Sequence, residues 1–248
     1  MQRRMMMKKL MVFAVAAMMG VVSAVAELDQ ASDYTAWNTG EGANSTFGNW
    51  TIVDGDGGHF LGNANAQGAN SEMINSANDT SFGLWNGGAA STEAYRSITE
   101  WGNNYTFTVQ MAYQFDGGAK GFTFAQGMTE LGYFTINATQ FAHSGGTEAT
   151  TSWVGLREFG DVIDITLTQN GANVEYEFVS QVGTLNASGS VAGTLDTVRF
   201  FNSVGSGGDG NDLYFNNMDV TAPIPEPATM SLLGLGALAM VLRRKIRK

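Results

Sequence analysis

Glu175-x-Glu177 is the first place in this chain to look for chemistry. Alternate residues of a strand share a face, so the two carboxylates stand on one side. Paired carboxylates across a scissile bond are what glycoside hydrolysis requires. The other phase of the same segment, Val174, Tyr176 and Phe178, supplies a core face, and no further acid completes a catalytic spacing. A solvated acidic face is therefore the plainer reading. His59 and His143 are the only histidines. No Gly-x-Ser-x-Gly element accompanies them, so each reads as a loop or surface residue. There is no cysteine, which removes thiol nucleophiles, haem attachment and cysteine-based zinc sites.

Two turns carry oxygen ligands, Asp54-Gly55-Asp56-Gly57-Gly58 and Asp209-Gly210-Asn211-Asp212. Ca²⁺ prefers such ligands, which makes Asp54, Asp56, Asp209 and Asp212 the candidate metal residues. Neither turn has the EF-hand spacing or its closing Glu, and Asp-Gly forms turns without any ion. No other cofactor is expected. Five tryptophans, at positions 37, 50, 85, 101 and 153, offer indoles that either fill a core or stack on sugar. Trp85 precedes Asn86-Gly87-Gly88 and Trp101 lies between Glu100 and Gly102. Bordering turns, these two are the candidate glycan-binding residues.

The elements that must position these groups are strands. Residues 27–222 hold 29 Gly and 19 Asn in 196 positions, a composition suited to many tight turns. From Tyr105 to Phe115, Tyr, Phe, Val and Met alternate with Thr106, Thr108, Gln110, Ala112 and Gln114, which predicts a strand with one buried aromatic face. Asp116-Gly117-Gly118 then predicts a hairpin into Gly121–Phe124. A second hairpin is predicted for Asp161–Gln169 and Asn173–Val182 about Asn170-Gly171. Further strands are expected at 50–53, 81–85, 132–137, 197–201 and 213–220. No internal segment has a helical period, so residues 27–222 read as one all-β domain, an antiparallel sandwich of jelly-roll type.

The ends differ from the middle. Arg3, Arg4, Lys8 and Lys9 precede an apolar run from Leu10 to Val22, and Ala24-Val25-Ala26 follows. This is a signal-peptide pattern, with Ala24 and Ala26 read by signal peptidase and the cut falling before Glu27. At the other end, Pro225-Glu226-Pro227 is followed by 15 uncharged residues, 228–242, and then by Arg243, Arg244, Lys245, Ile246, Arg247 and Lys248. Fifteen helical residues reach only about 22 Å, short of the roughly 30 Å hydrocarbon core, so this transmembrane helix suits a temporary hold at the inner membrane. The basic cluster keeps the terminus cytoplasmic. Between the ends, residues 27–222 carry four basic and 22 acidic side chains, a formal charge of −18 against −10 for the whole chain. That charge repels nucleic acid and excludes it as a partner.

The order Pro-Glu-Pro, short apolar helix, basic cluster resembles the PEP-CTERM sorting signal of Gram-negative bacteria. The resemblance implies a signal over residues 223–248, recognition by the transpeptidase exosortase, cleavage near Pro225-Glu226-Pro227 and onward transfer to the cell surface or extracellular matrix. Exopolysaccharide would be the neighbour there. Asp212-Leu213-Tyr214-Phe215-Asn216-Asn217-Met218-Asp219-Val220 resembles the closing strand of concanavalin A-like lectin/glucanase domains, with Asn216 where Asp is frequent. Together these resemblances imply a non-catalytic surface protein that binds glycan, the alternative being a secreted hydrolase or lyase.

Overall fold

The computed structural model describes residues 28–64, 74–113, 118–137, 140–145, 148–153, 162–181, 186–203 and 212–223. The expected signal peptide with Ala24 and Ala26, and the tail with Pro225, Glu226, Pro227, Arg243, Arg244 and Lys245, lie outside them, as does Asp209. The described chain forms fourteen strands and a single 3-10 turn at Ala31–Asp33. The strands are β1 (Thr51–Val53), β2 (Gly57–Gly62), β3 (Ser81–Asn86), β4 (Thr92–Ser97), β5 (Thr106–Tyr113), β6 (Ala119–Gln126) and β7 (Thr129–Asn137). Then follow β8 (Gln140–Gly145), β9 (Glu148–Trp153), β10 (Val162–Asn170), β11 (Asn173–Ser180), β12 (Asn186–Ala192), β13 (Thr197–Ser203) and β14 (Leu213–Thr221). They make two antiparallel sheets, in the orders β1-β4-β13-β6-β7-β8-β9 and β12-β11-β10-β5-β14-β3-β2. The architecture is the expected jelly-roll-like sandwich.

Period-two alternation builds the core. Phe107, Val109, Met111 and Tyr113 of β5 are buried, with Ile163, Ile165 and Leu167 of β10 and Val174, Tyr176 and Phe178 of β11 beside them. Aromatic rings join the two sheets. Phe200 of β13 stacks on Phe215 of β14 with centroids 3.7 Å apart, and Phe82, Trp37 and Trp50 close around Phe215. Such contacts add about 0.5–1.5 kcal/mol per pair beyond area burial.

Three expectations are corrected. β5 and β6 do not form a hairpin, because they belong to different sheets. Both edges of β5 are taken by β10 and β14, and both edges of β6 by β13 and β7. The β10–β11 loop is Gly171-Ala172, one residue later than expected, since Asn170 pairs with Asn173. Gly171 has φ +61° there, as a two-residue turn beginning with glycine needs. His143 is neither a loop nor a surface residue: it is buried on β8, with Nδ1 3.2 Å from the Tyr176 hydroxyl.

The segment after the expected signal cut is fastened across the fold. Asp29 exchanges backbone hydrogen bonds with Met218 and sits fully buried. Arg96 on β4 donates from Nη1 to Asp29 Oδ2 at 2.5 Å and from Nε to the Gly48 carbonyl at 2.9 Å. The guanidinium carbon lies 4.6 Å from the ring centres of both Phe47 and Trp50. Burial raises the Asp29 pKa above the ordinary aspartate value, while the Arg96 charge and hydrogen bond pull it down. A raised carboxyl pKa means that the stability Asp29 adds is fullest at acid pH and falls as pH rises through that pKa. Leaving Arg96 buried without its partner is the larger effect at neutral pH. Asp29→Ala is expected to lower the unfolding free energy by about 3–5 kcal/mol, read from urea transitions at pH 7. A loss below about 1 kcal/mol would show that the pair is not what fastens this segment.

Candidate functional site

Trp85 stands on the outer side of β3, where the inward residues are Phe82 and Leu84. It pairs in register with Gly58 of β2, and its indole lies over that glycine: a Cβ there would be 2.7 Å from Trp85 Nε1. Gly87 lies at the other edge of the ring, where a Cβ would be 3.6 Å from Cζ3. Bare backbone supports the ring, and the residue is 45% exposed. The Asp54–Asp56 turn is close by, since the Gly87 N–H donates to the Asp56 carbonyl and Asp56 Oδ2 accepts from the Ala90 N–H at 2.8 Å. Asp54 Oδ1 lies 2.6 Å from His59 Nδ1. Asp212 precedes the Leu213–Leu84 pair on the neighbouring strand, and its Oδ2 accepts from the Tyr214 hydroxyl at 3.1 Å. Burial, followed by the Asp212 charge, raises the Tyr214 pKa and keeps that hydroxyl a donor. Trp85, Asp54, Asp56 and Asp212 thus lie on or beside the paired ends of β2, β3 and β14. The three carboxylates there hold protein partners, and among the described residues no three acidic or histidine groups converge as metal ligands would.

Trp101 occupies a different place. It is half-buried against the core, and its indole N–H donates 2.9 Å to Gln169 Oε1. The Gln169 amide in turn donates to the carbonyls of Gly171, Asn173 and Gly193. Trp101 therefore helps plug one end of the sandwich. Glu175 and Glu177 are exposed on β11, between Thr168 and Thr166 of β10 and Ser190 and Ser188 of β12. They lie on an open hydroxyl-rich face.

A further group was not singled out in the sequence. On the outer side of the other sheet, Arg199 of β13 pairs in register with Tyr95 of β4 and Thr123 of β6, and Thr123 with Tyr133 of β7. Arg199 Nη2 donates to Glu93 Oε1 at 3.0 Å, and its guanidinium lies 5.8 Å from the Phe201 ring centre. Glu93, Tyr95, Thr123, Met128, Glu130 and Arg199 line a shallow cleft with an accessible volume of about 50 Å³. Packing around the Glu130 carboxyl raises its pKa, and the Arg199 charge opposes the shift. The available signal was Arg199-Phe200-Phe201, which puts an aromatic on the outward phase beside a cation.

A family model matches residues 223–245, the PEP-CTERM protein-sorting motif. The described chain is thus the β-sandwich of an exported protein that exosortase sorts and that its C-terminal tail holds transiently at the membrane. No curated protein matches the chain. Among solved structures it is similar to a sialidase at TM-score 0.51 and 11% identity, over 81% of this chain and 19% of that one. It is also similar to the CBM2 module of the evolved Dit of Lactobacillus casei BL23 phage J-1 (TM-score 0.44, 8% identity, 81% of this chain and 99% of that). An alginate lyase from Corynebacterium sp. follows (0.43, 11%, 59% and 78%). The chain spans less than a fifth of the sialidase, and at such identity the likeness is one of fold.

Trp101→Ala is expected to lower the unfolding free energy by about 2–4 kcal/mol, because it removes both packing and the Gln169 bond. Thermal and urea unfolding check this; an unchanged midpoint would return Trp101 to the candidate binding residues.

Proposed function

We propose that this protein is a non-catalytic component of the cell surface or extracellular matrix that binds exopolysaccharide. In this reading signal peptidase cuts after Ala26, and exosortase cuts near Pro225-Glu226-Pro227. One observation carries the glycan reading: Trp85 presents its ring on glycine backbone at 45% exposure, in a domain sorted out of the cell. Indole faces stack on the apolar faces of sugar rings, and a rigid ring loses little entropy on binding. The charge of −18 over residues 27–222 favours a neutral glycan, or an anionic one bridged by Ca²⁺. A single such site is weak, and crowding at the surface supplies avidity.

The second reading, a hydrolase or lyase, rests on Glu130 and Glu93. Both carboxyl groups flank the same cleft, Glu93 beside the Arg199 guanidinium, and a pair of carboxyl groups is what glycan cleavage uses. A reducing-end assay on residues 27–222 separates the two readings. Binding to a glycan array, with and without Ca²⁺, is expected for the wild-type domain. Trp85→Ala should weaken it about fivefold, or about 1 kcal/mol, with unchanged circular dichroism. Undiminished binding by Trp85→Ala, or release of reducing ends, would overturn the proposal.

A further inference from the structure

We propose that the outer face of β4, β13, β6 and β7 is a second glycan-contact surface, so that one domain bridges two neutral polysaccharide strands. This rests on the glycan reading above and adds a site opposite Trp85. Val198 and Phe200 of β13 point into the core, which turns Arg199 and Phe201 outward; likewise Ala94 and Arg96 turn Glu93 and Tyr95 outward. Tyr95 and Tyr133 flank Arg199 and Thr123 in one cross-strand row. Three strand spacings separate them, about 14 Å, which a short oligosaccharide covers. Phe201 lies in the next row, half-buried.

The chemistry of the cleft favours hydroxyl groups over acids. Arg96 and Lys120 are buried, so among the described residues Arg199 is the cation that reaches the surface, half-buried, and Glu93 already holds its Nη2. Glu130 is a second acceptor, and Thr197 adds a hydroxyl. Acceptors around a compensated cation suit the hydroxyl donors of a neutral sugar, whereas a uronate would meet two carboxylates. Met128, 87% exposed at the β6–β7 tip, adds an apolar edge to the same cleft. The Trp85 ring faces outward from the opposite sheet, and packed sheets lie about 10 Å apart with side chains beyond each. One strand of glycan therefore cannot lie on both faces.

The test uses the neutral fraction of exopolysaccharide from the producing cells, both intact and hydrolysed to short oligosaccharides. Calorimetry of the wild-type domain should show two oligosaccharides bound, and light scattering should show that intact chains are cross-linked. Tyr95→Ala/Phe201→Ala should leave one site and abolish cross-linking, as should Trp85→Ala. Met128→Ala, on a solvent-exposed tip, should weaken the second site roughly threefold without disturbing the fold. One bound oligosaccharide, lost in Trp85→Ala and intact in Tyr95→Ala/Phe201→Ala, would overturn the bridging proposal and leave the Trp85 reading standing. One site lost only in Tyr95→Ala/Phe201→Ala would overturn bridging and Trp85 together. So would no binding at all.

Discussion

Arg96 is a charge at the centre of an aromatic core, and much of the fold is arranged around keeping it there. A buried guanidinium is costly unless it is paired and hydrogen-bonded. Here the Asp29 carboxylate, the Gly48 carbonyl and two ring faces share that task. Each partner comes from the stretch ahead of β1, so one side chain of β4 ties this long irregular segment to the sandwich, alongside the Asp29–Met218 backbone bonds. Ala31 and Gln30 extend the attachment to Asn216 and Asn217, where β14 is bulged and Asn217 adopts φ +56°. The first described residues and the last strand thus depend on one another.

This matters because the domain has no disulfide to rely on. Its sheets are joined by rings instead, and a face-to-face pair such as Phe200–Phe215 fixes the spacing between them. With inward positions given to aromatics, the outward ones are free for polar groups and for a few rings that serve no core. Trp85 on one side of the sandwich and Tyr95, Tyr133 and Phe201 on the other are such rings. The separation of core rings from surface rings connects packing to the proposed adhesive role.

Much of the sandwich was legible in the sequence, because its central strands alternate cleanly. β5, β10, β11, β13 and β14 lie where period two placed them. β2, β4, β8, β9 and β12 were missed, and three of them break the pattern for identifiable reasons. β4 puts Arg96 on its inward phase, so a core strand reads as a polar one. β2 opens with Gly57-Gly58, read as a turn, and β12 is Asn-Ala-Ser-Gly-Ser-Val-Ala, with too few apolar side chains to announce itself. Partner choice was less visible than strand position: Asp116-Gly117-Gly118 has hairpin chemistry, but both edges of β5 go to strands distant in sequence. The same limit applied to the sites. Trp85 could be found from its bordering glycines, whereas the Tyr95–Arg199–Thr123 row exists only once three separated strands are in register.

The tail decides where all of this operates. The PEP-CTERM motif makes the domain an exosortase-sorted cargo, and a surface role for the rings of both faces follows only if the tail is removed outside the cell. The most direct measurement is the intact mass and cell fraction of the protein in strains with and without exosortase. With the enzyme, the account predicts a surface form that begins at Glu27 and ends near Pro225-Glu226-Pro227. Without it, a form retaining Arg243–Lys248 should accumulate at the inner membrane. The same mass and the same distribution in both strains would contradict the account.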